Sequence, residues 1–126
     1  MNHSSTPSNS RLLYVEDEVI VALDVSEGLR HDLGFDVSMA HNLASAMAQC
    51  QATHFDYALL DMNLGNGENS MALGMMLAER GTHVVFASGY NRNEIAEIES
   101  FQLIEKPFQL SDIEAAFATA PSPAAS

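Results

Sequence analysis

The sequence predicts a doubly wound α/β domain, a five-stranded parallel sheet with helices on both faces. Three observations predict it. Short apolar runs alternate with longer segments of helical character over most of the 126 residues. The apolar runs end on polar residues, at Glu16, Asp17, Asp61, Ser88 and Lys106. The composition, 47% hydrophobic and 17% charged, is that of a packed domain rather than a disordered chain.

The first strand is "RLLYV", Arg11 to Val15, which runs into the acids Glu16, Asp17 and Glu18. The segment "EDEVIVALDVSEGLRHDLG" then reads as a helix. Val19, Ile20, Leu23 and Leu29 fall roughly on one face, and Gly34 is the expected C-cap. "FDVSMA" is a short alternating strand, and Asn42 suits the N-cap of the helix "LASAMAQCQA". "DYALL" is a third strand ending abruptly at Asp61, followed by the glycine-containing loop "MNLGNGEN". "SMALGMMLAER" is a helix closed by Gly81, and "HVVFA" is a fourth strand ending in "SGYN". "NRNEIAEIES" leaves room for about two helical turns. "FQLIE" is the last strand, ending at Lys106-Pro107. The closing helix is "SDIEAAFATA", where Ser111 and Glu114 have capping-box spacing.

Residues 11–120 are read as the folded domain, with disordered tails at 1–10 and 121–126. The net charge is -12, which argues against nucleic acid as a ligand and against an anionic membrane surface. No apolar run approaches the roughly 20 residues of a membrane span, and the polar start does not resemble a signal peptide. A single cysteine, Cys50, fits a reducing compartment, so the expected location is the cytoplasm. Cys50 reads as a small buried hydrophobe. The histidines His3, His31, His41, His54 and His83 lack metal-ligand spacing and read as surface or helix-end residues. Met71, Met75 and Met76 read as core filler.

In a parallel sheet of this kind, ligands bind at the carboxyl ends of the strands. Glu16, Asp17, Asp61, Ser88 and Lys106 are therefore expected on one rim. Adjacent carboxylates are costly unless a cation sits among them, and three of them suit a hard divalent ion such as Mg²⁺. Lys106, the only lysine, is placed to pair with a carboxylate at rest or with a phosphoryl group. Ser88 adds a hydroxyl beside Gly89.

The ordered set resembles a response-regulator receiver domain of two-component signalling, over nearly all of residues 11–120. "VEDE" matches the family's acidic pair at Glu16 and Asp17, and "LLDMNLG" its phosphoacceptor segment. "EKPF" matches its Lys-Pro. The resemblance implies that Asp61 is the phosphoacceptor and that Mg²⁺ is held by Glu16, Asp17, Asp61 and the Asn63 backbone carbonyl. It implies further that Lys106 binds the phosphoryl group and that Ser88 is the switching hydroxyl. It also implies a flavodoxin-like strand order, 2-1-3-4-5. "HVVFASGYN" is similar to the Phe-Ala-Thr-Gly-Tyr signature of the FAT GUY subgroup, found in general stress pathways, with Ser88 in place of threonine.

Three departures stand out. Gly65-Asn66-Gly67 replaces the usual proline-containing loop. Leu103 occupies the position of the switching aromatic, which shifts that expected role to Tyr90. The fourth helix, between Ser88 and Lys106, is expected to be short by about one turn.

The implied function is that of a single-domain response regulator. It would take a phosphoryl group from a histidine kinase or a histidine phosphotransfer protein and signal through a downstream protein partner. It would lose the group by slow self-hydrolysis rather than turn over a separate substrate. A phosphate sink and a receiver cut from a hybrid histidine kinase are the nearest alternatives. A flavin mononucleotide binder would need a phosphate-cradling loop where this chain is acidic. A Mg²⁺-dependent aspartyl phosphatase would need an acid two residues after Asp61, where Asn63 stands.

Overall fold

A computed structural model describes residues 10–65, 67–89 and 101–119. In chain order the elements are β1 (Arg11–Val15), α1 (Val19–His31), β2 (Asp36–Ala40), α2 (Leu43–Ala52) and β3 (Tyr57–Asp61). They continue with α3 (Met71–Glu79), β4 (His83–Ser88), β5 (Gln102–Glu105) and α4 (Leu110–Ala118). The five strands form one parallel sheet in the order β2-β1-β3-β4-β5, as expected. The short helix expected between the fourth and fifth strands falls in residues 90–100, outside those described, and Tyr90 lies there too.

The alternation of β1 side chains divides the core. Leu13 and Val15 face a cluster with Ala46, Leu60, Leu73 and Phe86; Leu12 and Tyr14 face one with Ala22, Leu29, Phe35 and Ile113. Burial on both faces explains why the strands read as continuous apolar runs. Gly74 in α3 is needed for this packing: a Cβ there would stand 2.3 Å from the Phe86 ring.

Five local expectations are corrected. The inward face of α1 is Ala22, Ser26 and Leu29, while Val19, Leu23 and above all Ile20, 82% exposed, face outward. Small residues let the helix lie close to the sheet, so the larger ones are pushed to the other face. The helix ends at Asp32 rather than Gly34, though Gly34 does take the left-handed turn beyond it, at φ +78°. The capping box of the last helix is built by Gln109 and Asp112, two residues earlier than Ser111 and Glu114. His83 is buried rather than superficial, and Met75 is exposed rather than core.

Asn42 caps α2 as expected, accepting from the Ser45 amide at 2.8 Å. Cys50 is buried. No helix among the described residues is long and apolar enough to cross a membrane.

Candidate functional site

The strand order reverses at β1, so the carboxyl ends of β1 and β3 open onto one crevice. Val15 pairs with Ala40 on one side and Leu60 on the other, and the next residues, Glu16 and Asp61, emerge side by side. One carboxylate oxygen each from Glu16, Asp17 and Asp61 lies within 4.8 Å of the others. Glu16 and Asp61 are buried and Asp17 is exposed. The crevice is thus floored by two carboxylates and open at the third.

Lys106 enters from the end of β5, through a cis Lys106-Pro107 peptide. Its Nζ lies 3.1 Å from Asp61 Oδ2 and 3.2 Å from Glu16 Oε1. Its amide donates to the Ser88 carbonyl at 2.8 Å, which fixes the end of β4 to the start of the Lys-Pro turn. Glu16 Oε2 accepts from the Glu18 amide at 3.2 Å, and the Asn63 amide lies 3.4 Å from Asp61 Oδ1.

The electrostatics follow. Burial pushes the Glu16 carboxyl up, and the facing Asp61 charge pushes it further. Burial also raises Asp61, although the hydrogen bond and charge of Lys106 pull against it. Burial alone would lower Lys106, but Asp61 and Glu16 together outweigh it, so the ammonium is held charged. One fixed cation among three carboxylates leaves an excess of negative charge. A set made only of oxygen donors, open on one side, fits Mg²⁺, which takes one or two carboxylates and keeps several waters.

Of the residues predicted for the site, Glu16, Asp17, Asp61 and Lys106 converge. Asn63 begins the following loop, where its side chain accepts from the Gly65 amide at 3.0 Å. Gly65, at φ +79°, brings that loop against the rim: a Cβ there would stand 3.2 Å from Asp17 Oδ2. Ser88 ends β4 on the same rim and is half-buried.

Two supporting residues escaped the sequence reading. Ser70 is fully buried, and its hydroxyl donates to the Asp61 carbonyl at 2.8 Å, fixing the backbone of that strand end. Its signal was ambiguous, because a serine before a helix reads as an N-cap; here it makes no side-chain cap bond. His41 donates through Nδ1 to the Glu16 carbonyl at 2.9 Å. A histidine after the second strand has no sequence signal for that task.

Residues 12–118 match the family model described as response regulator receiver domain. Such domains are phosphoacceptors of two-component signalling that bind Mg²⁺ at an acidic pocket, and this chain carries an acidic cluster at Glu16, Asp17 and Asp61. No curated protein matches the chain. Among solved structures it is similar to SdrG from Sphingomonas melonis Fr1, at 28% identity and a TM-score of 0.75, covering 90% of this chain and 97% of that one. The BeF₃-activated conformation of SdrG, attributed to Pseudomonas melonis Fr1, matches at 27% identity and a TM-score of 0.72, with the same coverage. A response regulator from Burkholderia pseudomallei, with a phosphorylated aspartic acid, calcium ion and citrate, has the same fold. It is 23% identical, with a TM-score of 0.74, over 86% of this chain and 66% of that one. With the family model spanning nearly the whole described domain and the acidic rim in place, the chain belongs to the response regulator receiver domain family.

Proposed function

We propose that this chain is a single-domain response regulator, folded over residues 11–120, that accepts a phosphoryl group on Asp61 from a histidine kinase or a histidine phosphotransfer protein. The observation that carries this reading is the position of Lys106, 3.1 Å from Asp61 Oδ2 at the mouth of the acidic crevice. There the ammonium holds Asp61 in place at rest and can move to a phosphoryl oxygen once one arrives. The likeness to a Burkholderia pseudomallei protein with a phosphorylated aspartic acid supports the same chemistry.

In the transfer, an Asp61 oxygen attacks phosphorus as the bond to the donor histidine nitrogen breaks, and the pair of electrons leaves with that nitrogen. Glu16, Asp17, Asp61 and the Asn63 backbone carbonyl would hold Mg²⁺, which when bound neutralises charge that the carboxylates and the phosphoryl group would otherwise pile up. Ser70 and the Asn63 amide keep Asp61 oriented. Lys106 exchanges its Asp61 contact for a phosphoryl oxygen, and Ser88 supplies a hydroxyl to another. The resulting shift at Ser88, with Tyr90 as reporter, biases the output surface. Output runs through a downstream protein partner, in the cytoplasm. The likeness of "FASGY" to the Phe-Ala-Thr-Gly-Tyr signature supports a reading of the chain as a member of the FAT GUY subgroup.

Phosphotransfer from a panel of histidine kinases, or from acetyl phosphate, tests the reading. Asp61→Asn should take up no label while keeping its melting transition. Label persisting in Asp61→Asn, or an acid-stable product, would point to another acceptor.

A further inference from the structure

Leu12, Tyr14 and Glu16 alternate onto the same face at the end of β1. Tyr14 is 1% exposed, and its hydroxyl is buried without a hydrogen-bond partner of good geometry among the described residues. The buried part of the strand is otherwise leucine and valine, so the phenol ring is not needed for its apolar character, and a core hydroxyl left unpaired lowers folding stability. Of the charged groups the Glu16 carboxylate acts on it most strongly, ahead of Asp61 and Asp24, and lies within side-chain reach of the hydroxyl. A phenol carries its proton at neutral pH, so the group is a donor.

Glu16 Oε1 is the second orphan. It too is buried and meets no hydrogen-bond partner of good geometry among the described residues, where its close cation is Lys106 at 3.2 Å. The other oxygen, Oε2, is already committed to the Glu18 amide. When Lys106 turns to a phosphoryl group, Oε1 loses that cationic neighbour. The donor placed to replace it is the unspent hydroxyl two residues earlier on the same strand.

We propose that Tyr14 is a positioning residue for the cation seat: its hydroxyl donates to Glu16 Oε1 when Lys106 leaves, and so keeps the Glu16 carboxylate aimed at Mg²⁺. This rests on the phosphoacceptor reading above, in which Lys106 changes partners. A donor standing behind a metal-binding carboxylate typically supports the metal affinity by about 10–100-fold.

The test is Tyr14→Phe in the full chain, read three ways. Metal-free, the variant should melt at the wild-type temperature or above it, because a buried unpaired donor has been removed. Titrated with Mg²⁺ and beryllofluoride together, which stands in for the phosphoryl group and draws Lys106 away, it should bind about tenfold more weakly than wild type. With Mg²⁺ alone the loss should be smaller, and on a Lys106→Met background it should appear in full without beryllofluoride. A metal-free variant that melts lower, or one that binds Mg²⁺ and beryllofluoride as wild type does, would overturn the proposal and leave the phosphoacceptor reading standing. A wild-type chain that binds neither would overturn both.

Discussion

The two ends of the sheet are built on opposite principles. At the carboxyl end, Glu16 and Asp61 are buried as charges, with Lys106 between them and a third acid above. At the amino end, Phe35, Tyr57, His83 and Phe117 pack edge to face or tilted, with ring centroids 4.9–5.8 Å apart. His83 is tied by Nε2 to Gln102 Oε1, and Gln102 in turn donates to the Ala116 carbonyl at 2.8 Å, so even the polar groups there are satisfied. One end stores unfavourable electrostatics that a cation can relieve. The other supplies apolar and aromatic contact that holds the fold while the first is unrelieved. The difference teaches that the site's chemistry and the domain's stability are separable along the strand axis.

The largest break in that comparison should come from the amino end. Phe117→Ala removes three ring contacts and should cost about 3–5 kcal/mol in denaturant unfolding. Under conditions where it stays folded, its Mg²⁺ affinity should match wild type; a large change in affinity would show that the two ends are coupled. Mg²⁺ should act only at the other end. At 100-fold excess over Kd it should add about 2.7 kcal/mol of stability. Glu16→Gln/Asp17→Asn should abolish that gain, and melts with and without Mg²⁺ that coincide in wild type would remove the cation seat.

A smaller effect is expected from Ser70→Ala, which strips a buried donor from the Asp61 carbonyl. It should cost about 1 kcal/mol and slow phosphorylation in proportion to the loosened Asp61; an unchanged rate would reduce Ser70 to a packing residue.

The smallest effect is a pH trend, because Lys106 offsets part of the burial. Glu16 and Asp61 have folded-state pKa values above those of the unfolded chain, so the folded form binds their protons more tightly. Their contribution is therefore fully present below the ordinary carboxylate pKa and is lost as pH rises through the raised values. The metal-free protein should gain stability as pH falls through that window. Saturating Mg²⁺ should flatten or reverse the slope, since it favours the ionised carboxylates. A metal-free slope of the opposite sign would mean that Lys106 outweighs burial.

The sequence by itself determined the sheet and most of the rim. Apolar runs that stop on Glu16, Asp61 and Lys106 carry the information locally, because a strand buried on both faces leaves polar groups only at its ends. In a doubly wound sheet those ends meet on one side, so convergence follows from connectivity. Only the tertiary structure decided what each side chain faces. Val19, Ile20 and Leu23 looked like a core stripe, but the close approach of α1 through Ala22, Ser26 and Leu29 turned them outward. His83 looked superficial until Tyr57 of β3 and Phe117 of α4 closed around it. Ser70 was legible only as the start of a helical segment and not as the donor that fixes Asp61, because the carbonyl it serves is nine residues away. Tyr14 and Glu16 are two residues apart in the sequence, yet that both carry an orphaned buried oxygen depends on what Lys106, 90 residues further on, has already claimed. Period and composition report which residues leave water. Partnership in a low-dielectric crevice is a property of distance, and distance between strands is set by the fold.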